Sequence, residues 1–170
     1  LDRSSQFVIN HIIKDEDKSL EQKLFQLIVF RFYNQPDSFH ENFSLTSDGA
    51  IDLPDYYNWD ANSLWRRTVI QRKRANPWHT AYMMNMSFVK MPPEFAKTSP
   101  GKFKDWAMCH IVFEAVHKCI PKLVEELRGP SLNPQDIIDL LETLPAVGPF
   151  QSHEFFIDFT YFERYSPQGA

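Results

Sequence analysis

Apolar positions recur at three- and four-residue spacing through most of this chain, and no stretch alternates long enough to predict a strand. Residues 4–14 form a first amphipathic helix with Phe7, Ile9, Ile12 and Ile13 inward, followed by a charged turn at Asp15 to Lys18. Ser19 and Gln22 have the spacing of a capping box and open a strong helix over 19–33, with Leu20, Leu24, Leu27, Ile28 and Phe32 on one side. Pro36 starts a short helix over 36–43, with Phe39 and Phe43 inward, and residues 44–59 read as loop. Asp60 or Asn62 caps a helix over 61–75 that turns Leu64, Trp65, Val69 and Ile70 inward. After the Asn76-Pro77 break, a further helix spans 78–88. Ser99-Pro100 then starts a long helix, expected to be central, that runs to about Cys119 and continues or kinks through Pro121 to Arg128. Phe103, Trp106, Ala107, His110, Ile111, Phe113, Ala115 and Val116 are expected mostly buried in it.

The most informative stretch is 133–161, which predicts helix, tight hairpin, helix. Asn133 is a good N-cap and Pro134 suits the first helical position, where the missing N–H loses nothing. Ile137, Ile138, Leu140, Leu141 and Leu144 form one apolar face; Pro145 stops the helix, Gly148 permits the turn, and Pro149 starts the next helix. That second helix carries Phe150, His153, Phe156, Ile157 and Tyr161, with Asp158 among them. A hairpin of this kind leaves amides unpaired at the second helix's start, where a nucleic-acid phosphate can dock without its sequence being read. A plain helical corner that only packs is the competing interpretation.

Leu144-Pro145-Ala146-Val147-Gly148-Pro149-Phe150 followed by Asp158-Phe159-Thr160-Tyr161 resembles the signature of the α-glutamyl/putrescinyl thymine pyrophosphorylase family. Residues 24–34, ending in Arg31-x-x-Asn34, resemble that family's early helix, and residues 75–85, with Ala81-Tyr82-Met83, its second segment. The likeness spans roughly residues 20–162. It implies a DNA glycosylase-like helical fold and a role in DNA thymine hypermodification. The implied reaction displaces pyrophosphate from an activated hydroxymethyl pyrimidine in DNA by an amine such as glutamate or putrescine. Ala146 is a departure, standing where such hairpins usually carry glycine.

Composition narrows the picture. A chain of 170 residues, 43% hydrophobic, with 15 Phe, 6 Tyr and 4 Trp, suits one all-α domain of about seven to eight helices. It begins without Met and ends in Ser-Pro-Gln-Gly-Ala, and so reads as a piece of a longer protein with other domains. No apolar run is long enough for a membrane span and no signal-peptide pattern is present, so a nuclear or cytoplasmic setting is expected. The net charge of −4 argues against wholesale coating of nucleic acid but leaves room for one local basic strip. Cys109 and Cys119 lie about 15 Å apart along one helix, too far to pair. The six histidines show no metal-ligand spacing, there is no Gly-rich phosphate loop, and no cofactor is called for.

Four sets of candidate residues follow. Asp158, flanked by aromatics, is desolvated unless paired, which raises a carboxyl pKa and suits a general base or an electrostatic stabiliser; an exposed surface Asp or a partner for Arg31 is the alternative. Arg31 and Asn34 share a helix face and can orient leaving phosphates or a base, or else serve the helix end. Arg66, Arg67, Arg72, Lys73 and Arg74 are the densest positive charge and can bind DNA phosphates together with Ala146, Gly148 and Phe150, or form a solvated face. Trp78 and Tyr82 can stack on an extruded base, or belong to the core. The chain is therefore expected to be a DNA base hypermodification domain. A non-catalytic module binding DNA or a modified base, and a protein-interaction domain of a larger DNA-processing protein, are the rivals; whether it is an enzyme stays open at this point.

Overall fold

The structure is a computed structural model that describes residues 2–33, 39, 53–78, 90–98, 100–130 and 132–165. Helix α1 (Arg3–Val8) starts at Asp2, whose carboxylate accepts from the Ser5 amide at 2.7 Å, and widens into a π turn at Ile9–Ile13. Two lysines serve the carbonyls at its end: Lys18 Nζ donates to His11 O at 3.0 Å, and the buried Lys23 Nζ to Ile13 O at 2.8 Å. Orphan carbonyls that would otherwise be buried are thereby satisfied.

Helix α2 (Leu20–Tyr33) is buried along most of its length. Its apolar residues are buried on all sides, because after Glu21 and Gln22 at its start Leu24-Phe25 and Leu27-Ile28-Val29-Phe30 leave only Lys23, Gln26 and Arg31 as polar interruptions. Each of these finds a partner inside the protein; Gln26, for instance, donates to Pro54 O at 3.1 Å. Ser19 caps α2 as expected, accepting from the Gln22 amide at 3.2 Å. The reciprocal half of the capping box does not form. Gln22 instead reaches the 55–56 loop, donating to Asp55 and accepting from the Tyr56 amide at 2.6 Å.

Helix α3 (Ala61–Arg72) is capped by Asp60, which accepts from the Asn62 amide at 3.0 Å. A short 3-10 turn (Pro93–Phe95) precedes α4, which runs through three continuous segments: Pro100–Ala107, a π turn at Met108–Val112, and Phe113–Arg128. The helix continues through Pro121, which gives up one backbone hydrogen bond on an exposed position. The C-terminal half of α4 lies across α2, and rings from several elements meet there: Phe32 and Tyr33 against Phe113, Tyr33 against Trp78 at 4.7 Å, and Phe25 against Trp59 at 5.1 Å. Each such fully buried large side chain contributes about 1.5–3 kcal/mol. Phe103, Trp106, His110, Ile111 and Ala115 are only partly buried, whereas Ala107, Phe113 and Val116 are buried as expected.

Residues 134–165 form two helices joined by a tight turn. Helix α5 (Pro134–Glu142) is capped by Asn133, which accepts from the Gln135 amide at 3.0 Å, and helix α6 (Pro149–Tyr165) follows the hairpin. The buried line of α6 is Ser152, Phe155, Asp158, Phe159 and Phe162, while Phe150, His153 and Ile157 are exposed. Aromatics lie on both sides of this helix, so spacing alone does not choose its inner face. Ile70, expected inward on α3, is 58% exposed.

Among the described residues there are six helices and no strand, an all-α single domain. The helices expected over 36–43 and 78–88 lie outside the described residues apart from Phe39 and Trp78, both buried; residues 44–52 of the loop and the Ser99 cap also lie outside them.

Candidate nucleic-acid interface

Helix α3 sorts its residues cleanly. Ala61, Leu64, Thr68 and Gln71 are buried, and Thr68 packs against Cys109 in the π turn of α4. Burial drives the Cys109 thiol far above its ordinary range, so it stays a protonated packing group. Arg66, Arg67, Ile70, Lys73 and Arg74 point the other way and are exposed. Ile70 lies three or four positions from each of 66, 67, 73 and 74, which places all five on one side of the helix end, Lys73 and Arg74 in the turn that follows Arg72. The overall charge is −4, so these four cations make a local positive surface on an acidic molecule. Burial, and after it the neighbouring Arg72 guanidinium, push Lys104 of α4 below its ordinary pKa.

Arg72 stands apart from the other four. Its Nε and Nη2 both donate to the carboxylate of Asp105, the second at 2.8 Å. Asp105 is completely buried and also accepts from Trp78 Nε1 at 2.8 Å, so three donors satisfy one carboxylate. The Arg72 guanidinium lies against Gly101, where an added Cβ would come within 2.6 Å of it. Arg72 is thus a fastener between α3 and α4. Trp78 is likewise committed: its ring is buried against Tyr33 and Phe113 and its N–H is used, whereas Tyr82 lies outside the described residues.

Arg31 and Asp158 meet, as the sequence suggested. Arg31 Nε donates to Asp158 Oδ2 at 2.6 Å and Nη2 to Oδ1 at 2.7 Å, with a further contact to Ser5 Oγ at 3.3 Å. The pair joins α2, α6 and α1. Asp158 is only 2% exposed; burial pushes its carboxyl above the ordinary value, and the Arg31 guanidinium draws it back down. Both carboxylate oxygens are occupied. Asn34 lies outside the described residues.

At the hairpin, Val147 N–H donates to Leu144 O at 3.3 Å, closing a turn with Pro145 at its second position and Ala146 at its third. Ala146 has φ 64°, the left-handed value that the third position of a type II turn requires and that favours glycine. The sequence assigned the turn to Gly148. The left-handed position is instead Ala146, and Gly148 sits in open space, its carbonyl accepting the first bond of α6 from the Ser152 amide at 3.0 Å. Ser152 Oγ also donates to Glu142 Oε1 at 3.2 Å, which brings a carboxylate to the start of α6. A phosphate approaching those amides would meet that negative charge. Phe150 is 64% exposed beside them.

Sequence reasoning missed Asp105. Its signal was present: an acid at 105 on the same helical line as Met108, Cys109 and Val112, all buried, must have partners. It also missed the polar loop at 55–60, which packs onto α2 and contributes to a pocket beside α3. Among the described residues no cluster of three or more His, Cys, Asp or Glu side chains could hold a metal, and no helix is long and apolar enough to cross a membrane.

No curated protein and no solved structure matches the chain. One family profile does, over residues 1–168, and it is described as the helical domain of 5-hmdU DNA kinase. The pathway inferred from the hairpin signature, DNA thymine hypermodification, is upheld at that level; the step is corrected from displacement of pyrophosphate to the kinase's phosphoryl transfer. DNA is the substrate of such a kinase, and a helical domain is one part of it. With residues 1–168 matched by this profile and an all-α architecture, the chain belongs to the family of 5-hmdU DNA kinase helical domains.

Proposed function

We propose that this domain holds the DNA substrate of the kinase by its phosphate backbone, on the exposed face of α3. The observation that carries this reading is the grouping of Arg66, Arg67, Lys73 and Arg74 on one helix face of a chain whose net charge is −4. Contacts of this kind position a duplex without reading it, and leave base selection to another surface. Arg72 is left out because Asp105 engages it, and the hairpin amides are left out because Glu142 lies beside them. We read the Arg31–Asp158 pair as a fastener between helices, since the guanidinium occupies both oxygens that a general base would need.

Steady-state kinetics of the intact kinase on 5-hydroxymethyluracil DNA test the assignment. Replacing Arg66, Lys73 and Arg74 together by Ala should raise KM for DNA and leave kcat close to wild type, the pattern of lost uniform binding. A fall in kcat at unchanged KM would place these residues in the chemical step and contradict it.

A further inference from the structure

The loop ahead of α3 and the first turns of that helix enclose a concavity of about 180 Å³. Pro54 and the half-buried ring of Trp59 give it apolar walls, and Asp55, Asn58, Asp60 and Ser63 give it polar ones. Its volume is below the roughly 300 Å³ at which pockets begin to enclose drug-sized ligands, a size that suits a single base. Arg67 lines this pocket and also belongs to the basic face of α3. A nucleotide whose base enters the pocket would therefore leave its phosphates on that face.

The polar wall is held in place from behind. The Asp55 carboxylate accepts from the Tyr57 amide at 2.9 Å, from Gln22 Nε2 at 3.2 Å and from Asn58 Nδ2 at 2.9 Å. Hydrogen bonds from these three donors keep Asp55 below its ordinary pKa, so it stays ionised and keeps its grip on the Asn58 amide. Asn58 has one N–H fixed by that bond. Its second N–H and its carbonyl oxygen make no hydrogen bond among the described residues. An amide offering one donor and one acceptor side by side matches a uracil edge, where N3–H donates and the adjacent carbonyl oxygens accept. Trp59 Nε1 is already tied to Glu114 at 3.0 Å, which fixes the ring as a wall.

We propose that this pocket receives one pyrimidine base drawn out of the stack of the DNA held on α3, with Asn58 reading its N3–H edge against the ring of Trp59. This rests on the DNA-holding role of α3 proposed above. Extrusion is least costly where the base is mismatched, because pairing is already lost.

The test uses the intact chain that carries residues 1–170 and two fluorescent duplexes. One places 5-hydroxymethyluracil opposite a mismatch with 2-aminopurine beside it, so that extrusion unstacks the reporter and raises its fluorescence. The other is fully paired and contains only ordinary thymine. Wild type is expected to bind both and to raise the reporter signal on the first. Asn58→Ala should weaken binding to the mismatched duplex about tenfold, the equivalent of one lost base-edge pair. Ser63→Trp, which fills the pocket, should abolish the signal. Both variants should bind the paired thymine duplex as wild type does. A reporter signal that persists in both variants, or no signal from wild type that does bind, overturns the pocket while leaving the α3 reading intact. No binding of either duplex by wild type overturns both. If Ser63→Trp fails to fold, Asn58→Ala alone decides.

Discussion

Ala146 holds a backbone conformation that side chains disfavour, φ 64° at the third position of the turn closed by Leu144 and Val147. The left-handed conformation costs a non-glycine residue about 1–2 kcal/mol, and glycine gives back about 0.4–1 kcal/mol through the freedom of the unfolded chain. Ala146→Gly is therefore expected to stabilise the domain by up to about 1 kcal/mol in a denaturant titration; a loss of stability would mean the methyl group packs usefully. Asp158 gives a second residue-scale expectation. Its removal as Asp158→Ala leaves Arg31 beside an empty site and should cost about 3 kcal/mol, the lower end for a broken buried pair because Arg31 keeps some contact with water. Replacing both partners, Arg31→Met with Asp158→Leu, should recover most of that stability and retain kinase activity. If the stable double variant is inactive, the pair takes part in chemistry and the fastener reading falls. The Arg31–Asp158 meeting was legible in the sequence, since a carboxylate among aromatics needs a donor and Arg31 is otherwise a charge inside an apolar helix. The strained turn residue was not, because Gly148 offered the more obvious place for a reversal.

At the scale of elements, helix boundaries with a side-chain cap or a proline start were the most legible: Ser19, Asp60 and Asn133 each cap where their hydroxyl, carboxylate or amide predicts. Inner faces were legible only where one face is polar. Helix α5 has such a face and turned Ile137, Ile138 and Leu141 inward as expected; α6 carries aromatics on both sides, and its inner line runs through Phe155 and Asp158 while Phe150 and Ile157 are exposed. The docking of α3 on α4 was illegible because it turns on Asp105, which gathers Arg72 and Trp78 from distant parts of the chain. Gly101 is the position where this contact is most exposed to a small change. Gly101→Ala puts a methyl group against the Arg72 guanidinium, which cannot swing away without leaving Asp105. We expect a loss of about 1–3 kcal/mol, as for other overpacked contacts, read as a lower thermal midpoint. The same change combined with Arg72→Ala should cost less than the two single changes added together. Strict additivity would show that the two positions do not touch.

For the whole molecule, an acidic chain that works on DNA must keep its attraction local. In the proposed reading Arg66, Arg67, Lys73 and Arg74, all exposed, supply that attraction, whereas Arg31 engages Asp158, Arg72 engages Asp105 and Lys23 a helix end. Charge counting along the sequence grouped Arg72 with its neighbours, and only the fold separates the fastener from the face. The sequence signature at the hairpin led to the correct pathway and to a different step within it, because a turn of this shape reports backbone geometry and carries no reaction chemistry of its own. The central claim, that the α3 face grips phosphates, is tested most directly by the salt dependence of DNA affinity for wild type and for the Arg66→Ala, Lys73→Ala, Arg74→Ala variant. Each phosphate contact contributes about 0.9 to the slope of log affinity against log salt. The account predicts weaker binding at every salt concentration and a slope shallower by about 2 to 3 in the triple variant. Superimposable titrations for the two proteins would contradict it.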